Sequence, residues 1–362
     1  MVSSRKGTIF HSMWSSGLDE LGRWMTESGP LGDVVFSSRI RLARNLSTFS
    51  FTHWGSEDDR AGVRSMIRSA VRRAATLSGV TWIDLDDVDE LNRRLLVERH
   101  LISVEFSEAG GQKAAAIDKD QCISMMVNEE DHIRLQTLQP GLRLKEAWTN
   151  ASKIDEEFAA LLPYAFSQRW GYLTACPSNV GTGLRASVLM HLAGLAHYQQ
   201  LGQVLNASQK LGLAVRGFYG EGSQAQGNLI QLSNQASLGL SEAEILENLE
   251  TRVKQIASHE MEARRSLAQA KKVEVEDRIW RSWAILSHAR MISSQEAMDL
   301  LSDVRLGVEL GFLPVLSSSL LSELLILIQP AHLQSRTGKE LEPEERDIAR
   351  AELIRSKLSF SP

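Results

Sequence analysis

Five arginines stand where strands or loops are expected to end: Arg39, Arg41, Arg134, Arg185 and Arg216. Acidic residues gather at two such places, Glu129–Asp131 and Glu221. A guanidinium fork matches the geometry of a phosphate and grips it with two parallel hydrogen bonds. Arginines converging on one cleft need an anion, and carboxylates in the same cleft need a cation or a proton to accept. The two sets together point to a site that holds a polyphosphate at one end and a cationic group at the other. Each piece also has a plainer reading. Strand-end arginines form surface pairs, and Asn128-Glu-Glu-Asp-His132 makes a turn after a strand. Cys176, ahead of Pro177, packs as a small hydrophobe. Gly181-Thr-Gly183 merely opens the next element. Composition and spacing alone reach an anion-binding enzyme.

Several familiar chemistries are absent. The chain has no Gly-x-x-x-x-Gly-Lys-Ser/Thr loop, no His-Glu-x-x-His and no kinase-type His-Arg-Asp set. The glycines of Gly217-Phe-Tyr-Gly220-Glu-Gly222 do not have dinucleotide spacing. Lys plus Arg is 40 and Asp plus Glu is 45, a net charge of −5, which does not suit a broad nucleic-acid surface. Two cysteines, Cys122 and Cys176, exclude a disulfide framework and a cysteine-based structural zinc site. No signal-peptide core and no apolar run of membrane-spanning length are present, so the expected compartment is the reducing cytoplasm, with no membrane partner.

The elements that must position these residues are read from periodicity. Residues 33–41 read as a strand ending in arginines. Residues 57–77 read as a helix with Val63, Ile67, Ala70 and Ala74 inward and Arg60, Arg64, Arg68 and Arg72 on a solvated face. Ile123–Val127 is a short buried strand, and 145–162 an amphipathic helix. The Cys176–Arg185 loop is expected to open into an apolar helix over Ala186–Leu201. Val215–Gly222 and Gly227–Asn234 read as strands around a glycine-rich loop. Ser241-Glu-Ala-Glu244 is a capping box, with helical patterns beyond it at 276–290, 294–310, 318–329 and 343–358. The expected fold is α+β: an antiparallel sheet flanked by helices, followed by an all-α C-terminal domain. The expected division is 1–32 as an N-terminal arm carrying Trp14 and Trp24, 33–263 as the catalytic domain, and 264–362 as the helical domain.

Three segments carry a resemblance. Ser37-Ser-Arg-Ile-Arg41, Val127-Asn-Glu-Glu-Asp-His-Ile-Arg134 and Cys176-Pro-Ser-Asn-Val-Gly-Thr-Gly-Leu-Arg185 resemble the signature segments of the ATP:guanidino phosphotransferases (phosphagen kinases), in the same order and at similar separations. The likeness covers residues 33–263. It extends to the protein-arginine kinase branch of that family through Arg216-Gly-Phe-Tyr-Gly-Glu221 and Arg346-Asp-Ile-Ala-Arg-Ala351. The resemblance implies phosphoryl transfer from ATP, with Mg²⁺, to arginine side chains of proteins. Only 36 residues precede Ser37, so the N-terminal lid of the small-substrate kinases is not expected in the same form. Ser237 stands where those kinases commonly carry an arginine. The alternatives are a kinase of a small guanidino compound and a phosphoarginine-binding adaptor.

The resemblance also implies roles. Glu130 and Glu221 orient and deprotonate the substrate guanidinium, and Cys176 lies beside it as an electrostatic contributor. Ser37, Ser38, Arg39, Ile40, Arg41, His100, Arg134, Arg185, Ala186, Ser187, Val188, Leu189, Arg216, Gly217, Phe218, Tyr219 and Gly220 form the nucleotide and phosphate site. No protein ligand for a metal is expected. Arg346, Asp347, Arg350 and Ala351 form an allosteric phosphoarginine site. The implied setting is stress response and protein quality control, with a homo-oligomeric enzyme. The implied partners are a zinc-binding activator protein, a heat-shock repressor and a Clp-type protease.

Overall fold

A computed structural model of the chain describes residues 20–108, 110–218, 226–313 and 316–359. Its strands are β1 Val35–Arg44, β2 Thr81–Asp84, β3 Ala114–Ile117, β4 Ile123–Val127, β5 Ile133–Pro140, β6 Phe166–Ser167, β7 Gly171–Tyr172, β8 Leu184–His191, β9 Leu213–Arg216 and β10 Leu229–Asn234. Eight of them form one sheet in the order β2-β3-β4-β5-β1-β8-β10-β9, with antiparallel neighbours throughout. β6 and β7 make a separate hairpin. The α+β architecture with a helical C-terminal region is the one expected.

Successive side chains in a strand point to opposite faces, and this sorts the sheet. On one face Ile40, Leu42, Met125, Ile133, Leu135, Ala186, Val188, Ile230 and Leu232 meet the helices Glu57–Arg73, Leu144–Leu161 and Glu242–Ala270. The other face is divided. Part of it supplies Phe36, Leu138, Leu189 and Leu229 to a second core. That core is completed by Leu301, Val304, Leu324, Ile326 and Ile354 of the C-terminal helices and by Trp24 and Met25 of the N-terminal segment. The rest is open and polar. Trp14 lies outside the described residues.

The helix Glu57–Arg73 opens on a capping box between Ser56 and Asp59, with acidic residues in its first turn and Arg72 and Arg73 in its last. Its arginine row is a surface row. Arg64 and Arg68 reach Asp84 at 3.6 and 3.5 Å, and Arg60 donates to the Thr52 and Gly55 carbonyls. The Ser241–Glu244 capping box is formed as expected, and the helix it starts continues through residue 263 to Ala270. The next helix runs Lys272–His288.

The structure corrects several readings. Ala186–Leu201 is not one helix: it is strand β8 to His191, then the short helix Ala193–His197. β8 lies between β1 and β10 and is covered on both faces, so its sequence reads as one apolar run. Periodicity cannot separate such a strand from a buried helix. β1 extends to Arg44, so Arg39 and Arg41 lie inside the strand and not at its end. The helices Glu90–Glu98 and Pro330–Thr337 were not anticipated. Their signals were an Asp89 N-cap and a proline at the first turn.

Glu260 anchors the sheet to the helices. Fully buried, it accepts hydrogen bonds from the Gly194 and Leu195 amides at 2.7 and 2.9 Å and from Arg264 at 2.6 Å. Arg264 in turn donates to the Asp33 and His191 carbonyls. Glu260→Ala strips two amides of their acceptor and leaves Arg264 buried without its carboxylate. It should lower unfolding free energy by about 3–5 kcal/mol in urea titration, and a loss below about 1 kcal/mol would mean the network is dispensable.

Candidate active site

The open part of the sheet face is a cleft of about 530 Å³. Arg39 and Arg41 of β1, Arg134 of β5, Arg185 of β8 and Arg216 of β9 all line it, beside Glu130 and Cys176. Strand register explains the crowding. Arg41 and Arg185 are direct cross-strand partners, and Arg39 faces Ser187. Arg216 faces Gln231. Like charges directly opposite on a sheet are destabilising, and burial sharpens the effect.

The electrostatics record that crowding. Burial lowers Arg39 to about 9, with Arg134, Arg216 and Arg185 adding to the fall. Burial lowers Arg41 well below its ordinary value, followed by the charges of Arg39, Arg134, Arg185 and Arg216. Arg39 finds two neutral acceptors, Gln231 at 2.6 Å and Ser187 at 3.4 Å. Nε and Nη2 of Arg41 are buried and have no hydrogen-bond partner among the described residues. Buried donors in native proteins are nearly always paired. Arg41 therefore fits an anion in the cleft, and its fork suits a phosphate.

Glu129 and Arg134 form a carboxylate–guanidinium pair in the cleft lining. Burial pushes Glu129 up, but the Arg134 charge and hydrogen bond, the Glu130 amide and Ser103 outweigh it and bring the group down to about 2. Asp131 is buried, accepting from Asn45 at 2.6 Å and from the Ala175 amide at 2.7 Å. It ties the acidic loop to the Cys176 loop. His132 receives the Leu46 amide on Nδ1 and faces the Ser50 carbonyl with Nε2. Two of the three consecutive acids are thus braces, and Glu130 alone of the three is exposed.

The Cys176 loop is held from behind. Ser237, buried, donates to the carbonyls of Ser178 and Val180. Gly181 has φ +110, and a Cβ there would stand 2.7 Å from the Ser237 carbonyl. The Cys176 sulfur lies 3.0 Å from the Ser178 hydroxyl.

The remaining anticipated residues divide by face. Ser37, Ser187, Leu189 and Phe218 line a small recess with Arg39 and His100, and His100 also lines the main cleft. Burial, then Arg39, lowers His100 to about 3, so it is neutral. Its ring meets Phe218 edge-on at 4.7 Å. Ser38, Ile40, Ala186 and Val188 point the other way: Ile40, Ala186 and Val188 are core residues, and Ser38 bonds Gly141 and Arg143. Gly217 is buried beside Phe218. Tyr219, Gly220 and Glu221 lie outside the described residues. Cleft residues not anticipated include Lys113, Gln136, Asn179 and Gln231. Gln136 lies two residues from Arg134 on β5, and Gln231 alternates with the core residues Ile230 and Leu232 on β10, a signal available once the strands are known.

Arg346, Asp347, Arg350 and Ala351 lie away from the cleft on the helix Pro343–Ser359. Arg350 is not an outward fork. It is 2% exposed, donates to the Ile328 and Ile292 carbonyls at 3.0 and 2.9 Å, and pairs with Asp347. Nor does it pair with the acids at the helix start, where Glu345 meets Lys339. Arg346 is half-buried and Ala351 is core.

Residues 62–263 match the model described as ATP:guanido phosphotransferase, C-terminal catalytic domain. Residues 272–362 match the protein-arginine kinase McsB C-terminal domain. The chain is 48% identical over 340 residues to a protein-arginine kinase of Halothermothrix orenii, covering 94% of this chain and 97% of that protein. It is 50% identical over 340 residues to one of Symbiobacterium thermophilum, covering 93% and 96%. Among solved structures it is similar to the duplicated taurocyamine kinase of Schistosoma mansoni with transition-state-analogue components bound. That match has a TM-score of 0.59 and 25% identity, over 67% of this chain and 34% of that one. It is also similar to a lombricine kinase, with a TM-score of 0.55 and 25% identity, over 67% and 70%.

Arg41→Met should act with opposite signs on stability and ligand response. Removing buried, unpartnered donors should stabilise the nucleotide-free protein by about 1–3 kcal/mol. The same change should abolish most of the thermal stabilisation that ATP confers on the parent. A variant no more stable than the parent, and still stabilised by ATP, would show that Arg41 is satisfied without an anion.

Proposed function

The chain belongs to the ATP:guanido phosphotransferase family as a protein-arginine kinase, and we propose that this cleft carries the transfer, with Glu130 and Glu221 acting on the substrate arginine. The observation that carries the reading is Arg41, a guanidinium with buried nitrogens that have no partner among the described residues, set among four other arginines and beside an exposed carboxylate.

Arginine stays protonated to a pKa of roughly 12.5–13.8, and its nitrogen lone pairs are unavailable while it is cationic. One carboxylate accepts the proton from the attacking nitrogen, and the other holds the remaining fork. Glu129 and Asp131 are engaged in bracing, and Glu130 is the exposed acid of its loop. The N–P bond forms as the bond from the γ-phosphorus to the bridging oxygen breaks, and ADP departs. Charge spreads over the equatorial oxygens in a loose transition state, so alignment and cationic stabilisation dominate. Arg39, Arg41, Arg134, Arg185 and Arg216 supply them. His100, neutral and set beside Phe218, forms the wall against the nucleotide, and Cys176 borders the substrate guanidinium.

Mg²⁺ would accompany ATP, held by phosphate oxygens and water and neutralising charge there. The cationic cleft suits the phosphates that would carry it. Phosphoarginine binding is proposed at Arg346 and Asp347, with Arg346 as the accessible fork and the buried Arg350 holding Asp347. A cytoplasmic homo-oligomer working with a zinc-binding activator, a heat-shock repressor and a Clp-type protease completes the reading. The described helices include none long and apolar enough to cross a membrane.

Glu130→Gln should lower turnover by 10²–10⁴-fold while ATP binding stays near normal, the range expected for a positioned general base. Near-normal turnover measured with an unfolded protein substrate would remove Glu130 from the mechanism. Product that is acid-labile and base-stable on protein, with none on free arginine, separates this reading from a small-substrate kinase. Arg185→Lys should not restore activity lost in Arg185→Ala, since an ammonium lacks the fork. Full rescue by lysine would show that a point charge suffices there.

A further inference from the structure

We propose that Glu98 and His332 form a clamp through which the C-terminal helix Pro330–Thr337 positions His100 and the nucleotide wall of the cleft. The proposal rests on the reading of His100 as a nucleotide contact.

The helix Pro330–Thr337 has no side-chain cap of its own at Gln329. Its cap comes from 233 residues away. Glu98 accepts the Ala331 amide at 2.7 Å on one oxygen and the His332 amide at 3.0 Å on the other. These are the second and third positions of the helix, where a capping oxygen belongs, and a carboxylate there also meets the positive end of the helix dipole. The His332 ring adds a third contact to Glu98, Nδ1 to Oε2 at 2.6 Å.

The ring's other nitrogen fixes the next residue. Arg99 Nε donates to His332 Nε2 at 3.1 Å, so the proton of the neutral imidazole is on Nδ1, where it donates to Glu98. Arg99 also reaches the Glu20 carbonyl, which Gln121 holds as well. All three side chains are buried or nearly so, at 9%, 4% and 7% exposure for Glu98, Arg99 and His332. A charged group at such depth is kept only where its partners are complete.

His100 follows directly. It has φ +58, a conformation that a non-glycine residue holds only under constraint. Gln136 donates to its carbonyl at 2.6 Å, and its ring is set between Trp24 and Phe218. The two residues before it are fastened to a helix of the second core. Displacing that helix moves the chain that delivers His100, and nucleotide bound against His100 must favour the clamped arrangement. Glu98 and His332 touch no reacting atom, so they are positioning residues.

The test uses the full chain. Glu98→Gln retains the shape but sets an NH₂ against amide donors. His332→Asn retains a group able to reach Glu98 but loses the acceptor for Arg99. Each should raise KM for ATP about five- to twentyfold and leave kcat within about twofold, the signature of lost uniform binding. In the parent, saturating ATP should slow hydrogen exchange at the Ala331 and His332 amides, and Glu98→Gln should erase that protection. The exchange measurement on the parent decides the matter even if a variant fails to fold. Unchanged exchange at both amides with ATP bound overturns the clamp, as do folded variants with parental KM. His100→Ala is run alongside. Parental ATP affinity in that variant removes the reading of His100 and the clamp with it. Weakened His100→Ala beside unimpaired Glu98→Gln overturns the clamp alone.

Discussion

Five guanidinium groups on one half of one sheet face are a repulsive arrangement that the fold must hold in place. Each is fixed by a strand, and the strands run antiparallel, so the side chains cannot swing apart without breaking the ladder. Arg41 and Arg185 face each other across β1 and β8 because the register puts them there. Among the described residues, Glu129 is committed to Arg134, and Glu130 lines the same cleft. Repulsion among the arginines would be relieved by an anion, and giving up stability in this way is common at functional sites.

Such a face needs a rigid support. The opposite face of the sheet supplies it with an apolar core under three helices. The uncharged half of the same face supplies the rest, because Phe36, Leu138, Leu189 and Leu229 pack against the C-terminal helices and the segment around Trp24. Buried polar ties cross that boundary as well: Arg305 donates to the Gly32 carbonyl and lies over the Phe36 ring, and His191 meets Ser302. The C-terminal helices therefore help to hold the sheet that carries the arginines. They also meet the chain beside the cleft through the contacts of Glu98 with Ala331 and His332, Glu98 standing two residues before His100.

The acidic loop and the cysteine loop are likewise one unit. Asp131 bonds Asn45 and the Ala175 amide, His132 bonds the Leu46 amide, and Ser237 bonds the backbone under Cys176. Of the Asn128–His132 run, most members position the loop, and one presents a carboxylate. The run of acids has the composition of a catalytic cluster and the structure of a braced turn with a single exposed carboxylate.

Residue types and order along the chain were enough for the family, the α+β class, the capping box at Ser241 and the helical end. These depend on local chemistry: a cap needs its oxygen three residues from its amide, and a signature loop is contiguous. The convergence of Arg39, Arg41, Arg134, Arg185 and Arg216 was legible as a list but not as a surface. It rests on strand parity, and parity was hidden where β8 is buried on both faces and reads as a helix. Ser38, Ile40, Ala186 and Val188 sit inside the right motifs yet face the core for the same reason. Arg350 looked like a surface fork and is buried, because its partners Ile292 and Ile328 are brought to it by other helices. The Glu98–His332 contact spans more than two hundred residues. No local pattern marks a cap supplied from so far away, and only the packing of the two cores brings it into place.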